Sequence, residues 1–175
     1  MNDIIKKNVG VSMIQILEGT VFIENKELFL KKIKEISDGK SLSIQAFDAD
    51  KIAGKEHLTF AIEKAIESFK KGKNVANDLG KEIMLYAAGT RQINRAVKIG
   101  VHDGWNNIVI VAVGDMIDRS VFYEISPRNV LKYDGSKNNV LMDIFKISEK
   151  EIEAVGADKI PELVLERVAL VDVMK

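Results

Sequence analysis

A chain of 175 residues, 46% hydrophobic and 30% charged, has the balance of a soluble globular protein and is long enough to bury a core of its own. Its 26 basic and 26 acidic residues cancel, so no global field draws it to nucleic acid or to an acidic membrane, and binding of either kind needs a local patch. Cysteine is absent, which excludes disulfides, thiolate catalysis and zinc–thiolate sites together and fits a reducing cytoplasm.

The opening segment, MNDIIKKNVG, lacks the apolar run of a signal peptide. No stretch approaches the roughly 20 apolar residues that span a bilayer. Met13 to Ile23 reads as two strands or one bent strand around Glu18-Gly19. Asn25 then caps a helix with Leu28, Leu30, Ile33 and Ile36 as its stripe, ended by Asp38-Gly39. Leu42, Ile44, Ala46 and Phe47 alternate in part with polar residues and predict a half-buried strand. The longest helix runs from about Lys55 to Lys71, where Leu58, Ala61, Ile62, Ala65, Ile66 and Phe69 form an amphipathic stripe and Gly72 is the stop. Its other face carries Lys64, Glu67, Lys70 and Lys71.

Asp78 to Gly100 holds two helical patterns that meet at a Gly-Thr-Arg break. Asp78 caps the first, and Gly89 ends it as a left-handed residue. Thr90 is placed to cap the second, which exposes free N–H groups beside Arg91 and suits an anion, an RNA end or a plain helix corner. Ile108 to Val113 (IVIVAV) reads as a central strand covered on both faces. Gly114-Asp115 is expected to start a helix with Met116, Ile117, Ser120 and Val121 on one side. After Val130–Tyr133 and the Asp134-Gly135-Ser136 turn, Val140, Leu141, Ile144 and Phe145 suit a helix or an edge strand. Ser148 and Glu151 form a capping box, and Pro161 opens a last helix carrying Leu163, Val164, Val168 and Val171. The expected fold is α/β (α+β): a single domain over 1–175 with a small mixed sheet covered by several helices.

Few residues suggest chemistry. His57 and His102 stand far apart with no metal-ligand spacing, so no metal site and no cofactor is expected. No G-x-S-x-G, Walker loop or G-x-G-x-x-G is present, and catalytic residues are none. The glycine-bounded GVHDG, Gly100 to Gly104, either touches a ligand or is the turn into the buried strand. Tyr86 reads as a core tyrosine, and Trp105 as a rim residue or an interface anchor. Lys70, Lys71 and Lys73 are a solvated helix end unless they lie near Arg91. Arg91 either braces Glu82 or holds a phosphate bidentately. In the last helix Leu165, Val168 and Leu170 cannot all face one way, so a surplus apolar residue is left for a partner or for a second buried side.

The stretch from His57 to Val113 resembles a known family. Ala61 and Ala65 lie within AIEKAIESFKKGK; Leu79, Glu82 and Ile83 follow; then Tyr86, Gly89, Arg91, Gln92 and Ile93; then Ala96 and Gly100 before the apolar strand. This pattern is similar to the small kinase-associated subunit of the KEOPS complex, the Cgi family, called PRPK-binding protein in eukaryotes. The GTRQI version resembles archaeal members. The resemblance implies a non-enzymatic regulatory subunit that binds the KEOPS kinase-like ATPase and the single-stranded 3′ CCA end of tRNA. The complex installs threonylcarbamoyl on the adenosine beside the anticodon. On that reading His57, Lys64, Lys70, Lys71, Lys73, Tyr86, Gly89, Thr90 and Arg91 are the expected tRNA-binding set, with His57 or Tyr86 stacking on a base. Leu165, Val168 and Leu170 are the expected kinase contacts, and neither a membrane nor a small-molecule substrate is expected. Two alternatives stand beside it: a small α/β enzyme with a pocket at Gly89–Arg91 and His57 or Glu82 as acid or base, and an oligomerisation module.

Overall fold

The computed structural model describes residues 13–174. The reading of the opening MNDIIKKNVG segment lies outside them. The described residues form two compact units: one built from the chain up to Ala49 with Gly100–Val130, the other from Asp50–Ile99 with the chain from Leu131 onward.

The first unit is a four-stranded sheet with one helix. β1 (Met13–Ile23) is a single strand of 11 residues rather than two. α1 (Lys26–Asp38) follows, with the Asn25 side chain accepting from the Leu28 N–H at 2.9 Å, the cap expected of that residue. β2 (Leu42–Asp48), β3 (Gly104–Gly114) and the two-residue β4 (Ser126–Pro127) complete a sheet of order β2-β3-β1-β4. The α/β class expected of the sequence holds, but every pairing is antiparallel rather than mixed. β3 pairs with β1 along its whole length and with β2 from Ile108 to Gly114. Its Ile108–Val113 run is buried throughout, as a strand covered on both faces must be. Gly19 has a packing reason inside β1: a Cβ there would meet the Ser126 carbonyl oxygen at 2.2 Å, where β4 closes on the strand.

Two sequence expectations change in this unit. The α1 stripe is Phe29, Ile33 and Ile36, which pack on the sheet core, while Leu28 and Leu30 are exposed. The expected helix after Gly114 is only a 3₁₀ turn, Arg119–Phe122, capped by Asp118. Gln15 explains the shortfall: its side-chain amide donates to the Ile117 carbonyl at 3.1 Å and accepts from the Ile117 N–H at 2.8 Å. A buried side chain thus satisfies the backbone groups that a helix would otherwise pair. GVHDG is the turn into β3, with Asn106 donating to the carbonyls of His102 and Gly104. Trp105 is exposed and meets Phe22 edge-to-face across β1 and β3, with ring centroids 5.5 Å apart.

The second unit is helical. α2 (Lys55–Lys70) buries Leu58, Ala61, Ile62, Ala65 and Ile66 as its stripe predicts, and Gly72 takes positive φ just beyond its end. α3 (Leu79–Ala87) starts on Asp78, whose side chain accepts from the Lys81 N–H. It ends in a Schellman turn: the Thr90 N–H donates to the Leu85 carbonyl and Gly89 stands at φ 61°. α4 (Ile93–Ala96) is short. α5 (Asn138–Phe145) is a helix, not an edge strand; α6 (Glu149–Val155) opens on the Ser148–Glu151 capping box; and α7 (Ile160–Leu170) has Pro161 in its first turn. α2 packs on α3 and α7, and α5 packs on α7. Leu141, Phe145, Ile147, Ile160 and Val164 make the core between α5 and α7. No helix among the described residues is long and apolar enough to cross a membrane.

Candidate functional site

α2, the α2–α3 loop, α3 and the 3₁₀ turn Val171–Val173 line a cavity of about 430 Å³ within the second unit. Lys64, Glu67, Ser68, Lys71, Lys73, Tyr86, Arg91 and Asp172 line it. Lys64 and the lining carboxylate Glu67 project from α2 on the side away from its apolar stripe, and Lys71 stands at its C-cap. Lys73 follows Gly72, whose left-handed backbone turns the chain out of the helix, with the Lys73 N–H donating to the Ser68 carbonyl. Arg91 is delivered by the Gly89 turn at the end of α3.

Glu82 keeps the rim in shape. It is buried, and its carboxylate accepts from Ser68 Oγ at 3.2 Å, the Val75 N–H at 3.0 Å and the Ala76 N–H at 2.8 Å. Its partners are Ser68 on α2 and two N–H groups of the α2–α3 loop, and it makes no ion pair with Arg91 among the described residues. Among the described residues Arg91 and Lys73 have no ion pair or side-chain hydrogen bond, whereas Lys64 pairs with Asp172 at 2.6 Å and Lys71 pairs with Glu67. Four basic groups therefore face two carboxylates, and the excess positive charge rests on Arg91 and Lys73.

Asp172 connects the parts. It accepts from Lys64 Nζ and, at 2.7 Å, from the Tyr86 hydroxyl. Burial pushes its carboxyl up, but the hydrogen bonds from Lys64 and Tyr86 outweigh that and leave it below the ordinary value. The same contact raises the Lys64 ammonium, and burial, with the bond to Asp172, pushes the Tyr86 hydroxyl up to about 12. Lys64 and Asp172 therefore stay charged, and Tyr86 neutral, across the physiological range.

The structure thus brings together Lys64, Lys71, Lys73, Tyr86 and Arg91 of the residues expected from sequence, and separates the others. His57 is 1% exposed, accepts at Nδ1 from the Ala53 N–H (3.0 Å), and donates from Nε2 to the Ala87 carbonyl (2.8 Å). Its ring packs edge-to-face on Phe145. Burial first, then the charge of Lys137, lower its pKa to about 4 despite the Ala87 bond. It is a neutral core residue with no face free for a base, and it is not among the residues that line the Arg91 cavity. Tyr86 is 3% exposed, so it offers its hydroxyl rather than a stacking face. Lys70 is exposed but does not line the cavity. Thr90 is buried and its hydroxyl accepts from the Gln92 N–H in a local turn. The next helix therefore begins at Ile93 with Gln92 as N-cap, and its four residues make no helix terminus for an anion. Gly89 shapes the turn without lining the cavity; a Cβ there would meet Arg167 Cβ at 3.2 Å. In α7, Val168 is fully buried, Leu165 half-buried and Leu170 exposed, so Val168 belongs to the core and cannot be a partner contact.

Ser68, Glu67 and Asp172 also line the cavity and were not expected there from the sequence. Ser68 had a signal, a small polar residue three positions after Ala65 on the buried side of α2. Asp172 had none, because only the tertiary fold carries it to Lys64 and Tyr86.

Fold and site together define a class: an α/β protein with a basic, partly self-neutralised cavity suited to holding an anionic ligand. The chain belongs to the family described as Kinase binding protein CGI-121, which it matches over residues 22–172. It is 32% identical over 138 residues to the Regulatory protein Cgi121 of Methanocaldococcus jannaschii, spanning 77% of this chain and 86% of that protein. It is 41% identical over 61 residues to the KEOPS complex subunit Cgi121 of Pyrococcus abyssi, spanning 34% of this chain and 36% of that one.

Proposed function

We propose that this chain is a non-catalytic regulatory subunit of a KEOPS tRNA-modification assembly in the cytoplasm. It binds the complex's kinase-like ATPase and holds the single-stranded 3′ CCA end of tRNA in the Arg91 cavity. The family's kinase-binding description and the KEOPS name of the Pyrococcus relative support the assembly. The observation that carries the RNA part is the convergence of Arg91 and Lys73, both without partners among the described residues, with Lys64 and Lys71 in one cavity.

The chemistry follows from the charges. Arg91 presents a planar fork to a phosphate, and Lys73 adds a mobile point charge beside it. Lys64 and Lys71 are already held by Asp172 and Glu67, so an entering phosphate meets cations fixed in place. The carboxylates have a role too: a free RNA 3′ end carries ribose hydroxyls, and Asp172 is an acceptor at the cavity wall. Retention of the end, without bond making or breaking, needs no nucleophile. For the kinase, Leu170 with half-buried Leu165 is the apolar contact on α7. Titration of the kinase with this chain, with and without tRNA, tests the assembly. Titration with tRNA trimmed of its CCA tests the cavity, and equal affinity for trimmed and intact tRNA rejects it.

A further inference from the structure

The same helical unit carries a second basic recess, lined by Ala88, Arg95, Lys98, Asp143, Ile144 and Lys146. We infer that Arg95, Lys98 and Lys146 form a second phosphate-binding surface. It grips the duplex backbone of the RNA whose single-stranded end the Arg91 cavity holds. This inference rests on the proposed RNA-binding function and extends it to residues outside that cavity.

Three observations carry it. First, the charge is one-sided: three basic groups face the single carboxylate of Asp143. Arg95 and Lys98 are exposed, and neither has an ion pair or side-chain hydrogen bond among the described residues. Second, the segment is anchored. Ala96 and Ile99 are fully buried, which fixes the short turns that present Arg95 and Lys98 outward. Arg91 of the first cavity and Arg95 and Lys98 of the second recess lie on one continuous piece of chain. Through its short α-helical and 3₁₀ turns, at about 1.5–2 Å per residue, the seven positions from Arg91 to Lys98 cover on the order of 10 Å of chain, the length of about three stacked nucleotides. A strand leaving the first cavity therefore reaches the second recess within a few phosphates.

Third, Lys146 stands where lysine is a poor choice for the backbone. It closes α5 in the left-handed region at φ 53°, a position that favours glycine or asparagine. Its pairing with Asp143 at 3.3 Å joins side chains 66% and 78% exposed, which stabilises little. The charge at this position thus has no structural use that offsets its backbone strain. Phosphate binding supplies one, because lysine and arginine on a duplex contact the backbone without reading sequence.

The test compares two RNAs by fluorescence anisotropy: an acceptor-stem minihelix ending in CCA, and a short single-stranded oligonucleotide ending in CCA. The variants are Arg95→Glu with Lys98→Glu, Lys146→Gly, and Arg91→Glu. The expected result is roughly tenfold or greater weakening of the minihelix by the double charge reversal at 0.1 M salt. Its salt slope should fall by about two, since each lost phosphate contact removes about 0.9. Binding of the single strand should be unchanged. Lys146→Gly should weaken the minihelix severalfold without lowering the urea midpoint, because glycine suits the left-handed position. The inference is overturned if the double variant binds the minihelix normally, or loses both RNAs equally. If Arg91→Glu still weakens both RNAs in that case, the cavity reading stands and only the second surface falls. If Arg91→Glu is also without effect, both fall.

Discussion

Glu82→Ala gives the sharpest test of how the cavity is held open. The carboxylate accepts three hydrogen bonds from the α2–α3 region and is 2% exposed. Hydrogen bonds to a charged group are worth about 1.5–3 kcal/mol each net, but not all of that is lost on truncation. The Ser68 hydroxyl can turn to another acceptor, and Val75, 41% exposed, can hydrate its N–H. The Ala76 N–H belongs to a buried residue, and leaving it unpaired costs about 1–3 kcal/mol. With the lost packing of the side chain, the sum is about 3 kcal/mol. Urea denaturation should show that loss as a lowered midpoint at unchanged slope. Thermal melting should fall by roughly 6–12 °C for a chain of this size. Glu82→Gln keeps one acceptor oxygen and should lose about half as much. RNA affinity should fall with it, because the loop carries Lys73. A loss below about 1 kcal/mol, or full RNA affinity in a variant that is destabilised, would refute the assignment of Glu82 as the support of the cavity rim.

Three further outcomes follow from other parts of the chain. His57 has a folded pKa of about 4 against 6.5 unfolded, so the unfolded chain takes up its proton first. Stability should therefore fall as pH drops from 6.5 towards 4, by about 3 kcal/mol from this group, and a His57→Gln variant should lack that part of the slope in urea midpoints measured across the range. Gly19→Ala forces a Cβ to 2.2 Å from the Ser126 carbonyl oxygen; the expected loss is about 1–3 kcal/mol, with faster amide exchange where β4 meets β1. Leu170→Glu should leave folding and RNA binding intact while weakening the kinase at least tenfold in titration, and an unchanged kinase affinity would remove α7 from the partner surface.

Much of the frame was legible from local pattern. Ile108–Val113 read as a central strand covered on both faces, and the α2 stripe from Leu58 to Phe69 matched its helix closely. The caps at Asn25, Asp78 and Ser148 were readable because each is a local bond between a side chain and an N–H three residues on. The failures share the opposite character. Gln15 and Ile117 are partners across 102 positions, and that pair stands in place of the helix expected over Met116–Val121. Asp172 reaches Tyr86 across 86 positions. Thr90 was expected to cap a helix but bonds its own turn, so the proposed anion site has the side chains of Arg91 and its neighbours to draw on rather than a helix terminus. His57, polar in sequence, is consumed by two backbone partners in the core. The lysines and arginine of the cavity could be named from sequence. Which of them carry uncompensated charge could not, because that depends on Glu67, Glu82 and Asp172.

In the proposed function Arg91 is the uncompensated cation that meets the RNA end. The direct measurement is tRNA binding, with and without the terminal CCA, by the unaltered chain and by Arg91→Glu, with urea midpoints taken on both proteins. The expected result is about tenfold or greater weakening when either the CCA or the Arg91 charge is lost, little further loss when both are, and matching urea midpoints. Full affinity of a folded Arg91→Glu protein for intact tRNA would contradict it.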